Sequence, residues 1–497
     1  MTSSKRQGLG LRALALLAAL GLGALLVSCG GGGGGGNAAT TFSSYSNNPG
    51  ATGASALQQS IASCTQQNTP AVGIPSSGNS TPVVVDFGPC AIPTGSTSTS
   101  PVQVGTANVP FTNVTICVPG TNTCQTIDHV MVDTGSSGLR IMSSVLVPAL
   151  NLPAVNNSNG VPLIECVQFA DGYSWGSVRS ADVRIVGEHA ASLPIQVIGD
   201  SASDVTPSTC LGTSGTLVPL NDVSAFGANG VLGVGLFAQD CGPYCATTLA
   251  NTFYYTCPTA STCAPSTAQL TQQTTNPDFA FGGDGNGVVL SMPALASASG
   301  TNNSVGTLVF GINTQSNNQA TSSAITLFQS TCATFYSTLT SISNGYTGAG
   351  IAYANSFIDS GSNGLYLPGT NLETDAHHWF APTAANVVQF QATQQGQTAT
   401  ALDANGNCLV FQTGTVKTVA FSIANADTVL FTLNGGNDAA LNGLGGPSSA
   451  GTINTGGIDW GLPFFYGRSV FVGLEAGTNN PSVNVAGSFT PGPFWAY

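Results

Sequence analysis

The chain has 497 residues, which is enough for two or three domains with hydrophobic cores of their own. Only 6% of its residues are charged, against about 25% in an ordinary soluble domain, and the formal net charge is −13 at pH 7. Because so few basic residues are available to neutralise phosphates, we expect no nucleic-acid partner. The abundance of Gly, Ser, Thr, Asn and Val favours short strands joined by turns.

Residues 1–29 have the features of an export signal. Three basic residues precede an apolar run, 13–27, that is short for a membrane span. The run ends at Ser28-Cys29, and a run of glycines follows. This pattern resembles the lipobox of bacterial lipoproteins, and an ordinary signal peptide with an incidental Cys is the alternative. We therefore expect an exported protein held to a membrane by lipid on Cys29, with the Gly after the Cys favouring the outer membrane.

Residues 30–77 are mostly small and polar, which predicts a flexible tether and extension. Alternating and apolar runs begin near residue 81, and dense turn signals follow them along the chain. Helices are expected only as short pieces, near 143–150 and 370–380. No internal repeat of about 20 to 50 residues is evident, which disfavours a propeller or a solenoid.

The cysteines indicate a disulfide framework. Setting Cys29 aside from the 13 cysteines leaves an even number, as expected in an oxidising compartment. A zinc site is disfavoured because the histidines lie near no Cys cluster, so we expect no metal and no cofactor. The sequence does not fix the connectivity. The pairs that the spacing suggests are Cys117/Cys124, Cys241/Cys245 and Cys257/Cys263, leaving Cys64/Cys90, Cys166/Cys210 and Cys332/Cys408.

Two segments place a single Asp in the same surroundings: "DHVMVDTGSSGLRIM" at 128–142 and "ANSFIDSGSNGLYLP" at 354–368. In each, Asp133 or Asp359 follows apolar residues and precedes Ser/Thr-Gly-Ser, with Gly-Leu five and six residues further on. One such match is weak in a chain so rich in Gly and Ser. Two matches with the same flanks, half a chain apart, indicate related halves that each donate a carboxylate to one site.

The residue types around each Asp suit acid–base chemistry. Gly135 and Gly361 let the backbone turn sharply and bring amides to the preceding carboxylate. Ser136 and Ser362 are placed to donate hydroxyl hydrogen bonds that orient it. Two carboxyls within hydrogen-bond distance cannot both ionise and therefore share one proton. The ionised group can take a proton from water while the protonated one polarises a carbonyl, which is the chemistry of amide hydrolysis.

Residues from about 80 to 490 resemble the pepsin-like aspartic peptidases and, in detail, a branch of bacterial lipoproteins grouped as a domain family of unknown function. Beyond the two Asp segments, "FADGYSWGSVRSADVRI" (169–185) is similar to a flap hairpin, and "NGVLGVGLF" (229–237) to the element that supports the first Asp loop. "GTLVFGINT" (306–314) resembles the strand that crosses between lobes, and "IDWGLPFFYGRSVFVGLE" (458–475) the closing element of the second lobe.

This resemblance implies an all-β fold: a bilobal pepsin-like double β-barrel with an active-site cleft between two related lobes, 78–303 and 304–497. It implies that Asp133 and Asp359 form the catalytic dyad and that Thr134 and Ser360 link the two loops. The surrounding positions are Gly135, Ser136, Gly361 and Ser362, and the flap positions are Phe169, Asp171, Gly172, Tyr173 and Trp175.

The sequence departs from the family pattern at two places. Pepsin-like enzymes pair a flap Tyr with a Trp after the first Asp loop, but the aligned positions here are Phe169 and Arg140. Tyr173 or Trp175 in a shifted register is the alternative. The element supporting the second loop reads Asp459-Trp460-Gly461 where two apolar residues and a Gly are expected. Asp459 either lies near the dyad or faces solvent, and the general exposure of Asp favours solvent.

Two functions are therefore compatible with the sequence. The first is an exported, lipid-anchored aspartic endopeptidase, a monomer that hydrolyses a polypeptide substrate through water activated between two Asp. The second is a non-catalytic pepsin-fold surface lipoprotein that binds a protein partner. The intact pair of Asp loops favours the enzyme, and the missing flap Tyr–Trp pair favours the binding protein. A surface β-sandwich with no cleft is a third possibility, and neighbouring Asp133 and Asp359 side chains would exclude it.

Overall fold

The structure is a computed structural model that describes most of residues 78–497. The predicted leader with Cys29, the predicted tether 30–77 and the flap residue Asp171 lie outside the described residues. Also outside them are 93–100, 201–204, 213–214, 216, 250–251, 260, 297–299, 321–326, 330–334, 342–345, 347–351, 369, 384–385, 403–407, 433–437, 449–456, 476–482, 486–487 and 491.

Strands make up most of the regular structure. They are β1 Ser80–Val85, β2 Cys90–Ala91, β3 Val102–Gln103, β4 Pro110–Cys117, β5 Cys124–Asp133, β6 Ser137–Met142, β7 Leu163–Gln168, β8 Gly172–Ile185, β9 Glu188–Ile198, β10 Val218–Pro219, β11 Gly230–Val234, β12 Tyr254–Thr259, β13 Thr262–Pro265 and β14 Gly287–Met292. They continue as β15 Ser304–Phe310, β16 Leu327–Gln329, β17 Phe335–Ser341, β18 Ala352–Ile358, β19 Leu365–Leu367, β20 Val387–Leu402, β21 Cys408–Ala424, β22 Gly445–Pro447, β23 Asp459–Trp460, β24 Arg468–Gly473, β25 Val483–Val485, β26 Ser488–Thr490 and β27 Phe494–Ala496.

The helices are short. The α-helices are α1 Val223–Phe226, α2 Pro243–Thr247 and α3 Pro277–Ala280. Single turns of 3₁₀-helix cover Ser143–Val145, Ser208–Leu211, Leu270–Gln272 and Leu462–Phe464, and a π-helical turn covers Thr428–Thr432. Within the described part of the chain, no helix combines the length and the apolar character needed to cross a membrane.

Two large sheets contain most of the strands. A 16-stranded sheet runs in the order β13-β12-β7-β8-β9-β6-β11-β5-β4-β1-β15-β14-β24-β27-β16, with β10 paired to β8. A 7-stranded sheet runs in the order β21-β20-β17-β18-β23-β19-β22. The all-β prediction is thereby confirmed. The division into lobes at residue 303 stays a prediction, and strands from both sides of that position share the larger sheet.

Alternating and continuous apolar patterns explain how the strands bury their side chains. In β1 the inward positions Thr81, Val83 and Val85 alternate with half-buried neighbours, as expected for a strand with one face on the core. β6 and β11 are buried at every position because other elements cover both of their faces. Burying each large apolar side chain stabilises the fold by about 1.5–3 kcal/mol, and this packing holds the two Asp-bearing strands in place.

Four disulfides lie within the described residues, and each matches a pair that the sequence suggests. They are Cys117–Cys124, Cys166–Cys210, Cys241–Cys245 and Cys257–Cys263. Cys90 is also disulfide-bonded. Cys64 and Cys332, which belong to the two remaining suggested pairs, lie outside the described residues. The disulfide prediction is confirmed for these four pairs, which restrict the unfolded chain.

The prediction of a helix near 370–380 is wrong, and a polar side chain explains why. Asp375 Oδ1 accepts hydrogen bonds of 2.8 Å from the backbone amides of both His377 and Trp379. This turn offers those amides an alternative to helical bonding. Thr374 and Phe380 then pair across it as an isolated antiparallel bridge. Near 143–150, the helix is limited to the 3₁₀ turn.

Candidate active site

Asp133 is held at the end of β5 by a strand that pairs on both sides of its loop. β5 ends at Asp133, and β6 begins four residues later at Ser137. β11 runs between the two strands, with Gly233 in register with Asp133 on one side and with Gly138 on the other. This pairing fixes the backbone before and after the loop, so the carboxylate has little freedom.

Asp359 is held in the same way by shorter strands. β18 ends at Ile358, and β19 begins at Leu365 after the second loop. Trp460 of β23 is in register with both of these residues, in parallel with β18 and antiparallel with β19. The amide of Asp359 also donates to the carbonyl of Trp460 at 3.1 Å. Both Asp loops therefore have one backbone design, as the repeated motif predicts.

Each carboxylate is oriented by its own loop. The Gly135 amide donates to Asp133 Oδ1 at 2.8 Å, and the Ser136 hydroxyl hydrogen-bonds Asp133 Oδ2. In the second loop, the Gly361 amide lies 2.8 Å from Asp359 Oδ1, and Ser362 Oγ lies 2.9 Å from Asp359 Oδ2. A carboxylate bound on both oxygens cannot rotate without breaking hydrogen bonds, so both groups are preorganised.

Two buried side chains tie the loops to each other. The Thr134 amide donates to Ser360 Oγ at 3.1 Å, and the Ser360 amide donates to Thr134 Oγ1 at 2.9 Å. Each hydroxyl also donates a hydrogen bond across the junction. Ser360 donates to the Val132 carbonyl at 2.7 Å, and Thr134 donates to the Ile358 carbonyl at 3.3 Å. The bonds are reciprocal, so the loops lock together in one relative position.

The two carboxyl groups face each other across this junction. A Cβ added to Gly135 would lie 2.6 Å from Asp359 Oδ1, and one added to Gly361 would lie 2.6 Å from Asp133 Oδ1. Each loop glycine thus leaves the space that the opposite carboxyl occupies. Both Asp side chains are nearly buried, with 6% of each residue exposed. Burial, followed by the nearby carboxyls of Asp133 and Asp459, raises the pKa of Asp359 well above its ordinary value.

Asp459 is a third acid at this site, and the expectation that it faces solvent is wrong. It is 1% exposed, and its Oδ2 lies 2.7 Å from the Oγ of Ser362. Asp459 is buried because β23 pairs with β18 on one side and with β19 on the other. This pairing places the residue in the interior even though it is polar. Burial raises its pKa well above the ordinary value, against the Ser362 hydrogen bond and together with the charge of Asp133.

The predicted flap is the hairpin of β7 and β8, and its tip is closed by a 2.7 Å hydrogen bond from the Phe169 amide to the Gly172 carbonyl. Phe169 is half-buried and packs edge-to-face on Phe226 of α1, with 5.6 Å between ring centroids. Tyr173 and Trp175 are buried in a cluster with Tyr255. Within the described residues, the structure does not bring these flap side chains into hydrogen-bond contact with the dyad.

Arg140 belongs to a buried ionic network that sequence reasoning missed. Its Nη2 lies 2.7 Å from Glu165 Oε1 and 3.2 Å from Asp240 Oδ2, and all three side chains are fully buried. Tyr254 donates to Asp240 Oδ1 at 2.6 Å, and Thr274 donates to Glu165 Oε2 at 2.6 Å. An Arg inside "GLRIM" and a Glu inside "LIECV" were the available signal, since charges within apolar strands require partners.

The protonation of this network follows from its burial. Burial opposes charge on all three groups. For Glu165, the charge of Arg140 and the hydrogen bonds from Asp240, Thr274 and Arg140 outweigh burial, and its pKa is lowered. Burial and then the charge of Glu165 raise the pKa of Asp240 well above its ordinary value. One cation therefore stabilises one carboxylate while Asp240 keeps its proton. The network fixes β6, which follows the first Asp loop, to β7 of the flap hairpin.

Residues 78–497 match the family described as "Protein of unknown function (DUF3443)", and the chain belongs to that family. No curated protein matched in sequence comparison. Among solved structures, the aspartic proteinase from Irpex lacteus is similar at 13% identity and a TM-score of 0.42, over 84% of this chain and 96% of that one. A likeness of that degree carries no functional argument, which therefore rests on the site geometry.

Proposed function

We propose that the protein is an aspartic endopeptidase of the pepsin-like type. One observation carries the proposal: Asp133 and Asp359 are two buried carboxyls in facing loops of the same design, each packed against the glycine of the other. Two such groups share one proton over a range of pH, which provides a general base and a general acid in one place. The cross-loop bonds of Thr134 and Ser360 support the proposal because they fix this geometry before any substrate binds.

In the proposed reaction, the ionised carboxyl takes a proton from a water molecule, and the water oxygen forms a bond to the peptide carbonyl carbon. The protonated carboxyl gives its proton to the carbonyl oxygen as that bond forms. Collapse of the tetrahedral intermediate returns this proton to the dyad and breaks the C–N bond, while the other proton goes to the leaving amine. Ser136 and Ser362 keep the carboxyl oxygens in place throughout.

The proposal extends to organisation and location. The two Asp loops would face each other across a cleft between two lobes of a pepsin-like double barrel, with a polypeptide as substrate. Export and a lipid on Cys29 would place the protein at a membrane surface as a monomer, in the outer membrane if the cell is Gram-negative. The four disulfides support an oxidising compartment.

A binding protein of the same fold is the second candidate, and the flap favours it. In place of a Tyr–Trp hydrogen bond at the aligned positions, the chain has Phe169 packed on Phe226 and Arg140 buried with two acids. An enzyme that closes a flap over substrate would need another donor there. A protein that only binds a partner would not.

The test is cleavage of a mixed peptide library from about pH 2 to 7, the acid side on which a proton-sharing dyad is active. Wild type would be run beside Asp133→Asn and Asp359→Asn. Asp222→Asn is the matched control, because Asp222 caps α1 and Asn caps a helix equally well. We expect cleavage by wild type and the control and a loss of at least a thousandfold in both dyad variants. Wild type that is folded and cleaves nothing would favour the binding protein.

A further inference from the structure

Asp459 occupies a position that is apolar in the other half of the molecule. In the first half, Leu232 is the residue in register with both flanking strands, opposite Val132 and Leu139. In the second half, Trp460 is in register with Ile358 and Leu365. The residue before each is Val231 in the first half and Asp459 in the second. One half therefore carries a buried acid where its counterpart carries a valine.

The hydrogen bonds of Ser362 limit the protonation states that Asp459 and Asp359 can have together. Ser362 Oγ lies 2.9 Å from Asp359 Oδ2 and 2.7 Å from Asp459 Oδ2. A hydroxyl has one proton to donate, so it cannot donate to two carboxylates. If Ser362 donates to Asp359, then Asp459 must be the donor to Ser362 and must hold a proton. Both short contacts are satisfied only in that arrangement or in the opposite one. In the opposite arrangement Asp359 holds the proton and donates to Ser362, while Ser362 donates to Asp459.

The charges around Asp459 favour the protonated form. The acids that face it are Asp133 and Asp359, and its neighbour on β19 is Tyr366, whose hydroxyl donates to Asn363 Oδ1 at 2.7 Å. Within the described residues it forms no ion pair with Lys, Arg or His, and its Oδ1 is buried without a hydrogen-bond partner. A carboxylate there would be uncompensated, so a neutral carboxyl is the stable form.

We infer that Asp459 is a positioning residue that holds a proton and donates it as a hydrogen bond to Ser362, which directs the hydroxyl proton of Ser362 onto Asp359. This inference rests on the proposed function of the dyad. The chain runs from Asp459 Oδ2–H to Ser362 Oγ–H to Asp359 Oδ2. Hydrogen bonds in series polarise one another, so the neutral Asp459 strengthens the hydrogen bond from Ser362 and makes the ionised form of Asp359 less unfavourable. It thereby extends dyad activity toward lower pH.

Two substitutions separate this role from a purely structural one. Asp459→Asn keeps a neutral donor in the same place, whereas Asp459→Val copies the residue of the first half and removes the donor. We expect the acid limb of the kcat/KM profile to stay within about 0.2 pH units in the Asn variant and to rise by about 0.5 units in the Val variant, the size of a modest hydrogen bond. In a Ser362→Ala background, Asp459→Val should then have no further effect on this limb.

The opposite outcomes would overturn the inference. An unmoved limb in Asp459→Val would show that the residue does not act on the dyad. A fall of the limb to lower pH in both variants would show that Asp459 is negatively charged in the active enzyme, because removing a negative neighbour makes the dyad easier to ionise. Asp222→Asn serves as the control for the substitution itself.

A second readout does not depend on cleavage. In protein labelled with ¹³C at the Asp carboxyls, the resonance lost in Asp459→Asn should keep the position of a protonated carboxyl while the dyad loses its first proton. An Asp459 resonance that is already ionised in that range would overturn the inference whether or not the protein is active. A protonated Asp459 in a wild-type protein that cleaves no peptide would refute the enzyme proposal and leave the hydrogen-bond chain standing. This measurement also decides the matter if the Val variant does not fold.

Discussion

Thr134 and Ser360 are 226 positions apart in the chain, and each accepts a hydrogen bond from the backbone amide of the other. Both residues are buried, with 2% and 0% of their surface exposed. Their bonds are therefore shielded from water, and neither amide has solvent as a substitute partner. These two hydrogen bonds therefore fix the relative position of the two carboxyls directly, although the residues are far apart in the sequence.

Removing this junction should destabilise the folded protein. Ser360→Ala leaves the Thr134 amide buried without its partner, and we expect a loss of about 1–3 kcal/mol in the free energy of unfolding, measured with urea. Thr134→Val should cost a similar amount, and the double variant should cost less than the sum of the two because they remove one unit. Thr126→Val, at the partly exposed hydroxyl pair with Thr115, is the control and should cost well under 1 kcal/mol. Strict additivity would contradict the reciprocal junction.

The loop glycines should be intolerant of even one methyl group. In Gly135→Ala the new Cβ would collide with the Asp359 carboxyl, and the carboxyl must shift. Because small displacements of catalytic groups are costly, we expect peptide cleavage to fall about a hundredfold or more with the fold retained. Gly282→Ala is the matched control, since no heavy atom lies within 4 Å of its added Cβ. Equal activity of the two variants would show that the loops can move enough to accommodate the added methyl group.

Arg140 should be a major contributor to stability although it is not catalytic. Arg140→Ala would leave Glu165 and Asp240 buried without their cation, and we expect the free energy of unfolding to fall by about 3–5 kcal/mol. The control is Arg179→Ala, whose ion pair with Asp200 is partly exposed at 31% and 16% of the two side chains. That substitution should cost about 1 kcal/mol or less. A small loss in Arg140→Ala would mean that the two acids pair without it by sharing a proton.

A buried acid outside the dyad should make stability depend on pH. Asp278 at the start of α3 is 1% exposed. Burial is the main cause that raises its pKa well above the ordinary value, reinforced by the charges of Glu188 and Asp284 and opposed by a backbone hydrogen bond from Gly287. As pH rises above about 4, the unfolded chain releases this proton while the folded protein retains it, so stability is lost with rising pH.

Asp278→Asn removes that dependence. Its advantage over wild type in the free energy of unfolding should be small near pH 4 and should grow by up to about 1.4 kcal/mol per pH unit while the folded Asp278 stays protonated. Thermal or urea unfolding from about pH 4 to 7 would measure it. A constant difference between the two proteins across this range would show that Asp278 has an ordinary pKa in the folded state.

The Asp pair was predictable from sequence because its signal is local and repeated. Each loop is specified by about ten consecutive residues, and two copies made Asp133 and Asp359 a testable pair. The hairpin disulfides were predictable for the same reason, since Cys117 and Cys124 are separated by only 7 positions. The 370–380 helix failed because the bonds of a single Asp side chain outweighed a weak helical pattern.

The third acid and the Arg140 network could not be predicted in that way. The partners of Arg140 lie 25 and 100 positions away, Glu165 in β7 and Asp240 in the loop after β11, and they meet Arg140 only in the folded protein. Asp459 lies in a strand of 2 residues, too short for any period to show which face is buried. The general exposure of Asp residues predicted that Asp459 faces solvent. In the structure, the pairing of β23 between two core strands places it beside Ser362.

Equivalent positions of the two halves carry different residues, Val231 and Asp459, and this difference removes the symmetry between Asp133 and Asp359. With identical halves, the shared proton would have the same free energy on either carboxyl. Here Ser362 contacts Asp459 as well as Asp359, whereas the position equivalent to Asp459 in the first half is Val231. The two carboxyls therefore have unlike surroundings, and under the proposed function a bound peptide would meet two chemically different sides of the dyad.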